Sequence, residues 1–164
     1  GDIELKGITG MLTVEAVNGD IGVEHDSTES LEVVSVNGKI DLKSNSREVT
    51  VETVNGNSSL ELVEVDDLEM TSVNGDARVS MSLADNADVE VDTVGGSITL
   101  NFNGDVSARF ELEAHAGGSI RNQINDSKVS KAKYGPGQWI DFTEGSGNSR
   151  VRVSTVNGRV TVTK

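Results

Sequence analysis

The chain has 164 residues, a length that suits a single domain. Its formal net charge of −13 argues against binding to nucleic acid or to an anionic membrane surface, because both need a basic face. There is no cysteine, which excludes disulfides and thiolate metal sites but does not fix the compartment. The chain begins with Gly1 rather than Met, which indicates a trimmed or mature form.

The composition also restricts the core and the turns. Aromatic residues make up only 3% of the chain, so the core must be built from Val, Leu and Ile. There are 18 glycines against one proline, a balance that indicates repeated tight turns rather than a disordered linker.

The tripeptide Val-Asn-Gly is the most repeated feature of the sequence. Its asparagines are Asn18, Asn37, Asn55, Asn74 and Asn157. The glycines of these and of degenerate copies are Gly1, Gly19, Gly38, Gly56, Gly75, Gly96, Gly118 and Gly158. Up to Gly118 the glycines recur about every 20 residues, and the interval from Gly118 to Gly158 is twice as long.

Apolar and polar residues alternate on both sides of each repeat glycine. Around Gly38, for example, Leu31 and Val33 precede the glycine and Ile40 and Leu42 follow it. This pattern predicts two short strands per repeat, joined by a corner. A segment of about 20 residues cannot bury its apolar face alone, whereas a stack of such segments can. We therefore predict an all-β, single-stranded, right-handed parallel β-helix of about eight coils, with the handedness expected of parallel crossovers.

The tripeptide itself is interpreted as the corner of each coil. Valine would point into the core, asparagine amides would bond to those of neighbouring coils, and glycine would supply a positive φ or a close backbone approach. A stripe of asparagines that binds a ligand is the functional alternative. The structural ladder is favoured because a corner needs such hydrogen bonds.

The connections on the opposite edge vary in length and are mostly polar, which is where a solenoid usually carries its function. They span 24–30, 43–48, 63–67 and 80–88. His25 in the first of them is predicted to be a solvated loop residue. His115 falls in a column of small residues, beside a bulge predicted from the shifted phase of 110–116.

The whole of 1–164 is predicted to be one β-solenoid domain. It would consist of regular coils over 1–118, an irregular coil or cap over 119–149 and a closing coil over 150–164. The irregular part contains Tyr134, Trp139 and Phe142. We favour aromatics that close the end of the stack, because solenoids need capping units. The alternative is a sugar-binding surface, which makes these three residues a tentative binding surface.

No motif of catalysis or of metal binding is present. The sequence has no nucleophile elbow, zinc-ligand spacing, phosphate-binding loop or calcium loop. Glu69 and Glu90 are predicted to face each other, which a divalent cation could relieve, although a solvated acidic face is the simpler interpretation. We therefore predict a non-enzymatic protein with no catalytic residue, metal site or cofactor.

A polysaccharide-active β-helix enzyme, of lyase or hydrolase type, is the alternative from another class. It would need a groove that joins His115 or Arg121 to converging carboxylates. The predicted outer columns show no cluster of Arg or Lys beside carboxylates, which counts against it. A cation-binding module that uses the acidic faces is a further alternative.

The repeated unit V-x-S/T-V-N-G-x-I-x-L, with the final VRVSTVNGRVTVTK, resembles a bacterial adhesin family of β-strand-repeat domains of unknown function, head-GIN-like and autotransporter-adhesin-like. The resemblance implies an adhesin-like scaffold of the cell envelope or a secreted one, extracytoplasmic, with an unknown protein or glycan as partner. No apolar run approaches the about 20 residues that a membrane helix needs, so we expect no membrane insertion of this segment. We also expect a monomer or weak self-association through the solenoid ends. The family offers no catalytic residues to carry over.

The proposed register predicts opposite effects for two neighbouring substitutions. Val33→Asp should lower the free energy of unfolding by more than about 3 kcal/mol, because it buries an unpaired charge in the apolar ladder. Asp41→Ser, on the outer face, should change it by less than about 0.5 kcal/mol. Denaturant unfolding measures both, and equal midpoints for the two variants would contradict the register.

Overall fold

The computed structural model describes residues 1–164 and shows an all-β protein of 15 strands without a helix. The strands are β1 (Ile3–Ile8), β2 (Leu12–Asn18), β3 (Ile21–His25), β4 (Leu31–Asn37), β5 (Ile40–Ser44), β6 (Glu48–Asn55), β7 (Ser58–Asn74), β8 (Ala77–Gly95), β9 (Ile98–Phe102), β10 (Ala108–Ala114), β11 (Ser119–Gln123), β12 (Ser130–Lys131), β13 (Gln138–Glu144), β14 (Ser149–Asn157) and β15 (Arg159–Thr163).

The strands form two columns of parallel neighbours, one on each side of the glycine corners. Column A holds the strands that follow the glycines, in the spatial order β1, β3, β5, the start of β7, the start of β8, β9, β15 and β11. Column B holds those that precede them, in the order β2, β4, β6, the end of β7, the end of β8, β14 and β10. The prediction of an all-β, solenoid-like and mostly parallel fold is confirmed.

The core lies between the two columns and consists of aliphatic ladders. Val33 pairs in register with Val14 and Val51, and Ile40 pairs with Ile21. All five are buried members of one continuous hydrophobic cluster. Each ladder arises because residues at the same repeat position stack on one another at the strand spacing of a parallel sheet, about 4.8 Å.

The end of the chain does not lie at the end of the stack. Strand β14 pairs with β8 on one side and with β10 on the other, while β15 pairs with β9 and β11. The last repeat is thus inserted between the coil of 88–102 and the coil of 108–123. The prediction of 150–164 as a closing coil after 119–149 is wrong in this respect. The long interval before Gly158 reflects an excursion to the end of the stack and a return into it.

The bulge predicted from the phase of 110–116 is also absent. Residues 108–114 pair with 149–155 without a break in register. The extra residue lies in the turn after β10, where Ala116 and Gly117 have φ of 43° and 102°. The Gly118 amide closes this turn on the His115 carbonyl oxygen at 2.8 Å.

An antiparallel hairpin covers the far end of the stack. Strand β13 pairs antiparallel with β10, and β12 pairs antiparallel with β13. The Phe142 ring stacks on that of Phe110 at 4.6 Å between centroids, and Phe110 meets the Phe102 ring edge-on. In this way the apolar ladder ends on aromatic rings rather than in solvent.

The valine of the tripeptide points outward, so the prediction that it turns into the core is wrong. Val17 is 66% exposed, and Val54, Val73 and Val94 are exposed as well. The residue before the valine of the tripeptide faces inward instead. Ser35, Thr53 and Ser72 hold this position in three successive coils, and all three are buried. Strand alternation therefore continues through the valine, and the chain turns one residue later, at the asparagine.

The glycine of the tripeptide is required by contact between successive corners. Gly56 has φ of 141°, a region that side-chain-bearing residues rarely adopt. A Cβ atom built on it would lie 1.9 Å from the carbonyl oxygen of Gly38. The same clash, at 1.9–2.3 Å, recurs at Gly19, Gly38, Gly75, Gly96 and Gly158.

Two glycine-to-alanine substitutions should separate the energetic effect of this contact from the effect that alanine has on the unfolded chain. Gly56→Ala should destabilise by at least about 3 kcal/mol, since it adds both a backbone clash and an unfavourable φ. Gly22→Ala is the control, because Gly22 is a strand residue whose Cβ would meet nothing closer than the Glu4 side chain at 4.0 Å. It should be neutral or slightly stabilising. Denaturant midpoints decide, and a tolerated Gly56→Ala would contradict the close packing of the corners.

Candidate functional site

The asparagines of the first four tripeptides form a hydrogen-bonded ladder on the outside of the corner. The amide nitrogen of each donates to the Oδ1 atom of the preceding one: Asn37 to Asn18 and Asn55 to Asn37 at 3.0 Å, and Asn74 to Asn55 at 3.2 Å. The next position in the stack is Gly95, where the ladder stops. Asn157 stacks on Gly95 and so has no amide neighbour on that side.

A second polar ladder runs beside the first, one residue after the glycines. Oδ1 of Asp20 accepts the Lys39 backbone N–H at 2.8 Å, and Oδ1 of Asn57 accepts that of Asp76 at 2.9 Å. Asp76 accepts the backbone N–H of Ser97 in the same way. Sequence reasoning missed this ladder, although Asp or Asn follows the repeat glycine in four coils. Both ladders are used to hold successive corners together.

His25 is not the solvated loop residue that was predicted. It ends β3 and is only 1% exposed. Nε2 lies 2.6 Å from the Gly10 carbonyl oxygen and Nδ1 lies 3.0 Å from the Ser44 hydroxyl. A carbonyl oxygen can only accept, so Nε2 donates to Gly10, and in the neutral tautomer with this proton Nδ1 accepts from the Ser44 hydroxyl. The two ring nitrogens thus connect Gly10 and Ser44 at the edge of the stack opposite the glycine corners, called the loop edge below. The buried ring leaves no face open to a substrate.

A second residue of the loop edge, Arg47, also has a structural role. Its guanidinium forms a bidentate pair with Asp66, at 2.6 and 3.0 Å, and contacts Glu64 at 2.7 Å. Hydrogen bonds from these carboxylates raise the pKa of Arg47, and the bond from Arg47 lowers the pKa of Asp66. The bidentate geometry fixes two successive coils to each other.

The three aromatic residues of the tentative binding surface are separated by the structure. Phe142 is 8% exposed and belongs to the core, so its assignment to a binding surface is wrong. Trp139 is 42% exposed on the outer face of β13, and Tyr134 is 87% exposed in the turn between β12 and β13. The Lys133 ammonium lies 5.3 Å from the Tyr134 ring centroid.

The insertion of the last repeat creates a mixed-charge patch on the outer face of column B. The patch consists of Asp88, Glu90, Arg109, Glu111, Arg150 and Arg152. In register, Arg152 lies between Glu90 and Glu111, and its Nε atom is 3.4 Å from a Glu111 oxygen. The prediction that the outer columns show no cluster of Arg or Lys beside carboxylates is therefore wrong. Sequence reasoning missed the patch because its residues come from three strands whose spatial order differs from their chain order.

Local charge also affects a carboxylate beside this patch. Asp92 is half-buried two residues from Glu90 on β8. Burial of its carboxyl, and then the charge of Glu90, raise the pKa of Asp92, while Arg152 opposes the shift. Ionised Asp92 is thus less favourable in the folded chain than in water.

The groove that the enzyme alternative would need, joining His115 or Arg121 to converging carboxylates, is not formed. The only carboxylate within ion-pair distance of the His115 ring is that of Glu113, at 3.4 Å, and both side chains are more than half exposed. Arg121 lies on β11 in column A, away from the patch, and forms no ion pair. Glu69 and Glu90 are register partners as predicted. Even so, no three His, Cys, Asp or Glu side chains come together in a way that could hold a metal ion.

The fold is that of a β-repeat domain whose corner side chains bond to neighbouring coils and whose outer sheet faces are exposed to solvent. A family model described as Toastrack DUF4097 matches residues 1–163, and the chain belongs to this family, whose domain has no assigned function. No similar curated protein and no similar solved structure was found. The chain forms no helix of the length and apolar character that crossing a bilayer requires.

Proposed function

We propose that this chain is a non-enzymatic, adhesin-like binding module of the cell envelope or a secreted one. It would present the surface around Trp139, formed by β13 and the end of β10, to a protein or a glycan. The extracytoplasmic location follows from the resemblance of its repeats to the adhesin family. The chain would act as a monomer, or self-associate weakly through the ends of its stack.

The exposed indole of Trp139 is the observation that supports this proposal most directly. The end of the core is already covered by the stacked rings of Phe110 and Phe142, so the packing of the cap does not require the Trp139 ring on the outer face. Trp139 stands opposite Glu113 on the neighbouring strand, in a surface that is otherwise polar. An exposed aromatic ring beside hydrogen-bonding groups is typical of surfaces that bind proteins or sugars.

The proposal includes the right-handed winding and the coil number predicted from the repeats. Parallel strands linked by crossovers are right-handed in about 98% of cases. Column A holds one strand for each of the eight repeat glycines, which supports a count of about eight coils.

A glycan array and pull-downs from envelope fractions test the proposal. Any ligand captured should bind the Trp139→Ala variant at least about tenfold more weakly, because an exposed aromatic anchor carries a large share of binding energy. Val94→Ala, which removes an exposed apolar side chain from the corner instead, should bind normally.

Two results would count against this function. One is the failure of the chain to bind any glycan or envelope protein above an unrelated acidic control protein. The other is a ligand whose affinity is the same for wild type and Trp139→Ala.

A polysaccharide-active enzyme is the second candidate, and one observation favours it. Arg152 lies between two carboxylates, Glu90 and Glu111, on an open sheet face. In such an arrangement the arginine can donate hydrogen bonds to a sugar oxygen while one of the carboxylates moves a proton. The alternative of a divalent-cation module has no comparable support, since the acidic side chains form no three-membered cluster.

A panel of acidic polysaccharides, incubated with and without Ca²⁺, tests the enzyme candidate. Cleavage, measured as new reducing ends, should fall at least about 100-fold in Arg152→Gln and stay unchanged in Arg121→Gln. If every polysaccharide in the panel is left intact in both conditions, the enzyme candidate is excluded.

A further inference from the structure

A polar pocket of about 280 Å³ lies where the mixed-charge patch meets the turns of the loop edge. It is lined by Asn86, Ala87, Asp88, Arg109, Gly147, Asn148, Ser149 and Arg150. The volume is close to the lower end of the range of ligand pockets, about 300–1,000 Å³. The lining comes from three segments that only the insertion of the last repeat brings together.

Two unpaired arginines dominate the pocket. Arg109 and Arg150 are register partners on β10 and β14, and both alternate with buried neighbours, so their side chains leave the sheet on the same side. Neither forms an ion pair, although the chain carries a net charge of −13. By contrast, Arg47 and Arg152 both have carboxylate partners. Like charges directly opposite each other on neighbouring strands destabilise a sheet, so this pair needs a compensating charge.

The walls of the pocket are held in place by a buried hydroxyl group. Ser149 is only 3% exposed. Its Oγ donates to the Ala84 carbonyl oxygen at 3.0 Å and accepts the Ala87 backbone N–H at 3.0 Å. These bonds fasten the turn that carries Asn86 to the start of β14. Asn86 itself has φ of 59°, a conformation that the fastened turn maintains.

The charges of the lining define the kind of ligand that fits. Asp88 lies beside Arg150 in register, so two guanidinium groups and one carboxylate leave a net charge of +1. A single negative charge would balance it, whereas a dianion would meet the Asp88 carboxylate. The two guanidinium groups match the geometry of an oxyanion, and the amides of Asn86 and Asn148 can bond to hydroxyl groups beside it.

We propose that this pocket binds the carboxylate or sulfate group of an acidic saccharide, with Arg109 and Arg150 as the anion-binding residues. The site is distinct from the surface around Trp139, since it lies at the opposite end of strands β10 and β14. The pocket proposal goes beyond the proposed function because it names a class of ligand. The pocket proposal and the proposed function can each fail without the other.

Side-chain NMR of the arginines provides the test. The Nε–Hε signals of wild type are followed during titration with galacturonate, at an ionic strength held constant with NaCl. Galactose, which lacks the carboxylate, and acetate, which lacks the sugar, are titrated in parallel. Galacturonate should shift the signals of Arg109 and Arg150, galactose should not, and acetate should bind at least about tenfold more weakly than galacturonate.

Variants show whether the two arginines are responsible. Arg109→Gln and Arg150→Gln should each weaken galacturonate binding at least about tenfold, while Arg121→Gln, which removes an unpaired arginine from column A, should not. Without ligand, the denaturation midpoints of the two pocket variants should equal or exceed that of wild type, because the repulsion is relieved.

Several outcomes would overturn the proposal. They are an absence of shifts, equal shifts with galactose, or affinities unchanged in Arg109→Gln and Arg150→Gln. Acetate binding as tight as that of galacturonate would exclude a saccharide ligand. A lower midpoint for either variant would show that the arginine stabilises the fold instead. Binding of envelope ligands through Trp139, measured on the same variants, should stay at the wild-type level, which separates a failure here from a failure of the proposed function.

Discussion

The contact between the backbones of successive corners determines most of this structure. At six of the repeat glycines, Gly19, Gly38, Gly56, Gly75, Gly96 and Gly158, the preceding corner of the stack lies so close that no Cβ atom fits. Backbone N–H groups also bond to the coil beside them, as from Gly38 to Asn55. This contact fixes the rise from coil to coil and the register of both columns. Because the corners stack in this register, residues at the same repeat position come to lie beside each other. The aliphatic side chains, the asparagine amides and the aspartates after the glycines form their ladders in this way.

The order of the coils explains an unusual feature of the surface. The last repeat carries arginine at outward positions where other repeats carry mostly acidic residues or threonine, and it lies beside the acidic coil of 88–102. Arg152 thereby separates Glu90 from Glu111, which would otherwise repel each other across neighbouring strands. In the next row, Arg150 and Arg109 lie side by side, with a carboxylate, Asp88, on one side only. The insertion of the last repeat therefore produces both a row in which an arginine separates two carboxylates and a pocket with two arginines side by side.

The sequence sufficed for the repeat, the two strands of each coil and the inward residues, because period-two alternation and glycine spacing are local signals. The outward orientation of the valine was missed because the corner was placed between the small residue and the valine. The strand in fact continues through the valine, and the chain turns at the asparagine. The burial of His25 depends on Gly10 and Ser44 in neighbouring coils, and a single loop sequence carries no sign of them. The mixed-charge patch was out of reach for a similar reason, since Arg109 and Asp88 become neighbours of Arg150 only through non-sequential strand order.

The inserted position of the last repeat has a consequence for how the chain folds. Strands β8 and β10 are joined only through β14, so the coils on either side of the gap cannot be united until the carboxyl-terminal residues are available. During synthesis, the earlier coils can stack as they emerge, because each contacts mainly its predecessor. The cap must wait with an open edge until β14 and β15 have been synthesised. A nascent chain halted before β14 would therefore expose unpaired strand edges, the kind of surface from which aggregation starts.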